Sequence, residues 1–370
     1  MRAVAVFPAE RKLRLVDHPA PAIERDSEVH IRILEVGVCG TDREIARFDY
    51  GTPPAGSPYL VMGHESLGQV MEVGAAVKSV RPGDLVVTMV RRPCDRPDCP
   101  ACRIGRQDFC VTGRFTERGI NGRHGFMTEE VVDDERYLVA VPRALADVGV
   151  LVEPLTIAEK AFIQVGDVQD RLPWLGEDRG QEAAHRAVVL GAGPVGMLGA
   201  MALRVRGSEV WVYSRDPSGG DKARWVEAIG GRYLSSTGAS LADLAAQVGN
   251  IDLVYEATGA SQLSFQALAV LGVNGVFVFT GVPGRKAPIE VDADLLMRNL
   301  VLRNQLVYGT VNAGPDAFLA AIDDLAELDR RWPAQLRALI TGRYPPESFE
   351  ELLVGPATGI KRVIHFAEAR

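Results

Sequence analysis

The stretch Ala187-Val188-Val189-Leu190-Gly191-Ala192-Gly193-Pro194-Val195-Gly196 decides the architecture of the second half of the chain. Its first four residues are apolar, the composition of a strand buried on both faces. Gly-x-Gly-x-x-Gly follows, and from Gly196 to Arg206 the apolar residues recur at helical intervals. In such a strand–turn–helix the first glycine makes the tight turn and the second lets a pyrophosphate approach the backbone. The third lets helix and strand pack closely. The helix N-terminus then meets the phosphate charge with unpaired N–H groups. Gly191, Gly193, Pro194, Val195 and Gly196 are therefore the candidate phosphate-binding residues. A glycine triplet alone is weak; strand before and helix after make it strong.

The same texture repeats downstream. Glu209–Tyr213 reads as a second strand, and Lys222–Ile229 as a helix ending at Gly230-Gly231. Ile251–Ala257 and Gly275–Thr280 read as further strands, with Ser264–Leu271 helical between them. Apolar strands alternating with helices predict an α/β domain built on a doubly wound parallel sheet. At the end of the second strand, NAD-specific sites place an acid that grips the ribose 2′-hydroxyl. Here Ser214 and Arg215 stand there, a pair better suited to a 2′-phosphate. Asp216 follows within reach of the ribose, so both NADP and NAD remain open.

Upstream the pattern differs. Arg2–Phe7, Glu28–Val36, Gly68–Val73 and Asp84–Val90 are short strand-like runs with turn residues between them, which predicts a β-rich, partly barrel-like domain. Leu155–Val168 has helical spacing, and the polar segment Glu177–Arg186 after it reads as a connector. Pro315–Leu328 reads as a helix and Arg362–Phe366 as a last strand.

A chain of 370 residues fits two domains, and 47% hydrophobic with 24% charged residues excludes disordered and coiled-coil classes. The net charge of −7 argues against nucleic acid as a partner, which needs a concentrated basic face. Five cysteines, an odd number, do not suit a secreted disulfide framework. Glu10, Arg11, Lys12 and Arg14 interrupt any apolar signal core. The uncharged stretches Ala187–Leu203 and Ala267–Gly284 are broken by glycines and proline, so neither reads as a membrane span. The expectation is a soluble, cytoplasmic protein.

Four of the cysteines form Cys94-x4-Cys99-x2-Cys102-x7-Cys110, in a segment too polar to be packed core. Four thiolates close a tetrahedral zinc, and a closed site is structural. The fifth, Cys39, ends an apolar run in Val36-Gly37-Val38-Cys39-Gly40-Thr41-Asp42. Downstream stand Gly63-His64-Glu65 and Leu151-Val152-Glu153-Pro154. A thiolate, an imidazole and a carboxylate from separate segments can hold a catalytic zinc with one position left for water or substrate.

Three motifs in this order resemble the zinc-dependent medium-chain dehydrogenases and reductases: Gly63-His64-Glu65-x-x-Gly68-x5-Gly74, the four-cysteine lobe, and the Gly191/Gly193/Gly196 turn. Within that family the chain is most similar to the zinc-containing glucose 1-dehydrogenases. The residues that carry this likeness are Cys39-Gly40-Thr41-Asp42-Arg43-Glu44, Gly105-Arg106-Gln107-Asp108-Phe109-Cys110, Glu153-Pro154-Leu155, Ser214-Arg215-Asp216 and Val311-Asn312. The resemblance implies a GroES-like catalytic domain from residues 1–153 and 311–370, with its zinc lobe at about 91–112, and a Rossmann domain at 154–310. It implies one catalytic and one structural zinc, with NADP or NAD as cofactor, and a dimer or tetramer. It also implies that Cys39 and His64 ligate the catalytic zinc, with Glu65 and Glu153 as ligands or one water away. Thr41, Glu117, Glu153 and Asn312 would meet the sugar. Thr258, Thr280, Val282 and Asn312 would join the glycine turn, Ser214 and Arg215 in binding the dinucleotide.

Two departures accompany the likeness. Many relatives carry a proton-relay histidine where this chain has Glu44, and some glucose dehydrogenases carry a sugar-binding aspartate where it has Ile157. The implied reaction takes a hydride from the anomeric carbon of an aldose to NAD(P)+, giving a lactone, while Thr41 passes the hydroxyl proton outwards. The alternative on the same scaffold is a polyol or secondary-alcohol dehydrogenase.

Overall fold

Strand β1 (Arg2–Phe7) buries its four inner residues and pairs antiparallel with β2 (Lys12–Asp17). It belongs to a computed structural model that describes residues 1–174, 185–284 and 287–369. The chain then runs through β3 (Glu28–Gly37), α1 (Gly40–Ala46), β4 (Leu60–Val61), β5 (Glu65–Val73), β6 (Leu85–Thr88) and β7 (Arg91–Arg92). The cysteine lobe holds only α2 (Pro100–Arg103) and a 3-10 turn at Gln107–Phe109. After it come β8 (Thr116–Arg118), β9 (Gly122–Arg123), β10 (Glu130–Asp134), β11 (Leu138–Val141) and α3 (Val152–Gln169). Buried apolar side chains such as Val4, Ile31, Met62 and Phe126 form the core of this part. One buried charge is built in as well: Asp133 accepts from Arg118 at 2.8 Å and from Arg92, which binds β10 to β7 and β8.

The second part is a parallel sheet. Its elements are β12 (Arg186–Leu190), α4 (Pro194–Val205), β13 (Glu209–Ser214), α5 (Asp221–Ala228), β14 (Arg232–Ser235) and α6 (Leu241–Val248), then β15 (Leu253–Glu256), α7 (Ser261–Leu268), β16 (Val276–Phe279), α8 (Ala293–Leu302) and β17 (Leu306–Gly309). The strand order is β14-β13-β12-β15-β16-β17, every pair parallel. The chain winds one way from β12 and then the other way from β15. The switch point therefore lies between those two strands, where such sheets bind ligands at the strands' carboxyl ends. This is the doubly wound sheet expected from the sequence. The polar connector expected at 177–186 lies, apart from His185 and Arg186, outside the described residues.

The tail comprises α9 (Pro315–Arg331), α10 (Pro333–Ala338), β18 (Ile340–Tyr344), α11 (Phe349–Leu353) and β19 (Lys361–His365). It completes the sheet of the first part, in the order β11-β6-β5-β3-β19-β18, with β10 also on β3. Two compact units result: Met1–Thr156 with Asn312–Ala326 and Leu336–Arg370, and Ile157–Val311 with Glu327–Gln335. The sequence reading assigns all of 311–370 to the first unit. Glu327–Gln335 instead groups with the second, where Trp225 Nε1 donates to the Gln335 carbonyl at 2.8 Å. Among the described residues no helix is long and apolar enough to cross a membrane.

Candidate active site

Strand β3 explains why distant residues meet. Its C-terminal end lies inside the sheet and pairs with two strands at once, β5 and β19. Gly37 lies opposite Glu65 on β5 and opposite Val363 on β19. That register brings the residue just past β3, the first residue of β5 and the start of β19 to one place. Cys39 Sγ, a nitrogen of His64 and an oxygen of Glu65 lie within 4.8 Å of one another. Lys361, the first residue of β19 and 1% exposed, donates to both Glu65 oxygens, at 2.8 and 2.5 Å. Burial opposes the charge on Lys361, but Glu65 and Cys39 hold its pKa above the ordinary lysine value.

The helix after β3 supplies the next contact. Cys39 caps α1, and its N–H donates to Asp42 Oδ2 at 2.9 Å. The other Asp42 oxygen stands 3.3 Å from His64 Nδ1, and among the described residues neither atom has a hydrogen-bond partner. Burial opposes protonation of His64, yet Asp42 and Cys39 raise its pKa well above the usual value. The pocket thus favours positive charge where thiol, imidazole and carboxylate converge. A carboxylate behind one histidine nitrogen leaves the other for a metal, which is how zinc-bound histidines are usually oriented. The residues fit a zinc ion. Glu153, near the start of α3, is buried, and burial pushes its carboxyl up to about 7. The like charge of Glu65 adds to this, while His64 and Lys361 oppose it. Thr41 lies in the first turn of α1.

Glu117 and Asn312 come together as well. Glu117 Oε1 accepts from Arg91 Nη2 at 3.0 Å and from Asn312 Nδ2 at 3.3 Å. Arg91 lies over the Phe115 ring at 3.6 Å, and its Nη1 donates to the Asp108 carbonyl of the lobe at 3.2 Å. Burial raises the Tyr50 phenol pKa, and the charges of Glu117 and Glu44 raise it further. Arg91, Glu117 and Asn312 form a small polar cluster in the same unit as Cys39 and His64.

In the lobe, Cys94, Cys99, Cys102 and Cys110 offer four sulfurs within 4.8 Å of one another. Cys99 and Cys110 are 4.0 Å apart, and all five cysteines are free thiols. Sulfurs around a tetrahedral zinc are about 3.8 Å apart, so this set fits that ion too. The four-residue gap between Cys94 and Cys99 is accommodated without breaking the cluster.

The glycine turn is open where a phosphate would lie. Gly191 has φ of 103°, and a Cβ there would meet Thr258 Cγ2 at 2.7 Å. A Cβ on Gly196 would meet the Gly191 carbonyl at 2.2 Å, while nothing lies within 4 Å of one on Gly193. Among the described residues no side chain caps α4, so its first N–H groups are available to an anion. At the end of β13, Ser214 Oγ donates to Asp216 Oδ2 at 3.1 Å, and Lys222 pairs with the same oxygen at 3.0 Å. Arg215 is exposed beside them, as is Val282 in the loop after β16. The residues fit a dinucleotide. The Thr258 and Thr280 hydroxyls point inward and donate to Glu256.

The family model for the glucose dehydrogenase C-terminus matches residues 146–366, and that for the alcohol dehydrogenase GroES-like domain matches residues 25–143. Glucose 1-dehydrogenase of Methanocella arvoryzae is 38% identical over 367 residues, covering 98% of this chain and 99% of its own. Its counterpart from Thermoproteus tenax is 40% identical over 367 residues, with the same coverage. The structure of Haloferax mediterranei glucose dehydrogenase, in complex with NADP, Zn and gluconolactone, matches at TM-score 0.88 and 32% identity over 100% of both chains. The chain belongs to the glucose dehydrogenase family.

For a member of this family, three charged residues escape a reading of the sequence alone. Asp42 stands inside the quoted Cys39-Gly40-Thr41-Asp42 run, and its place three residues after the cap was a legible signal for a capping acid. Lys361 and Arg91 carried no such signal, because a basic residue shows its partner only after folding. Ile157, the position without the aspartate, falls in the second unit, whereas Glu44 stays on α1.

Proposed function

We propose that this protein oxidises the anomeric hydroxyl of an aldose of the glucose type to a lactone and transfers the hydride to NAD(P)+. The observation that carries the reading is the convergence of Cys39, His64 and Glu65 within 4.8 Å. It is supported by the family membership and by the relatives' stated reaction components.

When bound by Cys39, His64 and a carboxylate, zinc supplies Lewis acidity that makes a hydroxyl easier to ionise. Asp42 keeps the His64 ring turned so that one nitrogen is offered to the metal. Lys361 holds the Glu65 carboxylate in place, and the Glu153 carboxyl stands in the same electrostatic neighbourhood. Thr41 takes the anomeric proton outward, a step that needs no histidine at Glu44. Arg91, Glu117 and Asn312 hold the other sugar hydroxyls, with Glu117 kept as an acceptor by the two donors on Oε1. The hydride leaves the anomeric carbon, the proton leaves the hydroxyl, and the lactone retains both carbon–oxygen bonds. Arg215 and Lys222 meet the 2′-phosphate of NADP, at a ribose end already anchored by Ser214 and Asp216.

The protein works in the cytoplasm, where its free thiols stay reduced. A second copy of this chain pairs along β17, the edge of the parallel sheet. Next to that edge α8 exposes Leu295, Met297, Val301 and Leu302.

The test is a screen of aldoses and polyols with NAD+ and NADP+ on purified protein, with Cys39→Ser alongside. Aldose oxidation to lactone, abolished in the variant while cofactor binding persists, is the expected result. Turnover of polyols alone would move the assignment to the alternative chemistry.

A further inference from the structure

Glu256 ends β15 with its side chain fully buried, and among the described residues no lysine or arginine pairs with it. A buried carboxylate survives without a cation only if hydrogen-bond donors surround it. Here two loops provide them. Oε1 accepts from the Thr258 N–H and hydroxyl, both at 2.6 Å, and from the Gly259 N–H at 2.9 Å. Oε2 accepts from the Gly281 N–H at 3.1 Å. The Glu256 carbonyl takes the Thr280 hydroxyl at 2.7 Å and its N–H at 3.1 Å. Between the loops there is no room for side chains. A Cβ on Gly281 would meet Gly259 N at 2.1 Å and Glu256 Oε2 at 2.8 Å, and one on Gly259 would meet the Val282 carbonyl at 2.6 Å. One carboxylate therefore sets the register of the loop after β15 against the loop after β16.

Sheet order says what these loops face. A dinucleotide with its pyrophosphate at the α4 N-terminus and its adenine ribose at the end of β13 continues past β12 over β15 and β16. Thr258, Thr280 and Val282 then lie under the nicotinamide half.

We propose that the Glu256 carboxylate is a positioning residue for the nicotinamide half of the cofactor, holding both loops in the single arrangement that seats the ring. The proposal rests on the dinucleotide reading above. Its test is calorimetric titration of wild type and Glu256→Gln with NADP+ and with adenosine 2′,5′-bisphosphate, which lacks the nicotinamide half; NAD+ and ADP form a parallel pair. Glutamine keeps the shape but turns one oxygen into a donor, which must face an N–H of one loop. NADP+ affinity is expected to fall roughly 10–100-fold, while the bisphosphate binds as to wild type, and Glu256→Asp recovers part of the loss. Equal weakening of both ligands, or no weakening of NADP+, overturns the proposal. Should Glu256→Gln fail to fold by circular dichroism, Thr258→Val removes one donor and leaves the carboxylate. A selective loss of NADP+ affinity of about threefold or more supports the proposal, and none overturns it. Wild type that binds neither nucleotide would remove the dinucleotide reading, and this proposal with it.

Discussion

Asp42 is wholly buried, and one of its oxygens stands 3.3 Å from the Nδ1 of His64. A residue so placed would act on a zinc held by His64 through the imidazole, by fixing its tautomer and raising its basicity. Asp42→Asn keeps the cap on α1, since an amide oxygen also accepts from the Cys39 N–H, but it loses the charge. Zinc affinity of the catalytic site is expected to drop roughly 10–100-fold in chelator competition; unchanged affinity would separate Asp42 from the metal. His124 supplies a prediction about acid. Its Nδ1 accepts the Val61 N–H at 3.1 Å, so the ring must be neutral. Burial, with added repulsion from His18 and Arg118, pushes its pKa down to about 4. The unfolded chain takes up this proton near pH 6.5, and the folded chain does so only near pH 4. Stability from this group is therefore complete above about pH 6.5 and declines as pH falls towards 4. His124→Asn should flatten that part of the melting-temperature profile, and superimposable profiles would refute the assignment.

At the scale of elements, the cysteine lobe is a support for the Arg91, Glu117 and Asn312 cluster. It has one short helix and a single 3-10 turn, and a zinc held by its four cysteines would tie it together. Its Asp108 carbonyl anchors Arg91, and Arg91 anchors Glu117. Cys99→Ser should lower zinc content by one ion per chain and raise the KM for sugar about tenfold, the worth of one charge-assisted hydrogen bond. Cofactor affinity should stay level, because the dinucleotide elements belong to the other unit. A rise in both constants together would mean that the lobe serves general stability instead.

For the whole molecule, the exposed edge is the outstanding feature. Met297 and Val301 lie one helical turn apart on α8 and are 65% and 73% exposed, and Leu302 is 68% exposed. A four-residue edge strand beside so much apolar surface invites pairing with another chain. A β17-to-β17 contact would make the surface self-complementary, as a two-fold axis requires. Light scattering should find a multiple of 40.0 kDa for the native protein and a 40.0 kDa monomer for Val301→Arg combined with Met297→Glu. A variant that keeps the native mass would place the interface elsewhere.

Ala187–Gly196 was legible by itself because strand, turn and helix are local, and the four-cysteine spacing was legible because a metal gathers ligands close in sequence. So were the strands Glu209–Ser214 and Val276–Phe279, whose burial on both faces writes an apolar run. Short elements such as β14 and β18 left no such mark, since their half-buried residues mix polar and apolar types. What the sequence determined alone was therefore the chemistry available: one thiol, one imidazole, acids, and a turn for phosphate. Only the tertiary structure decided which charges neutralise which. Lys361 reaches Glu65 across 296 residues because β19 and β5 flank the same strand, and Arg91 reaches Glu117 because β7 lies on β8. Pairing of that kind is a property of sheet register, and register is set by packing the whole core.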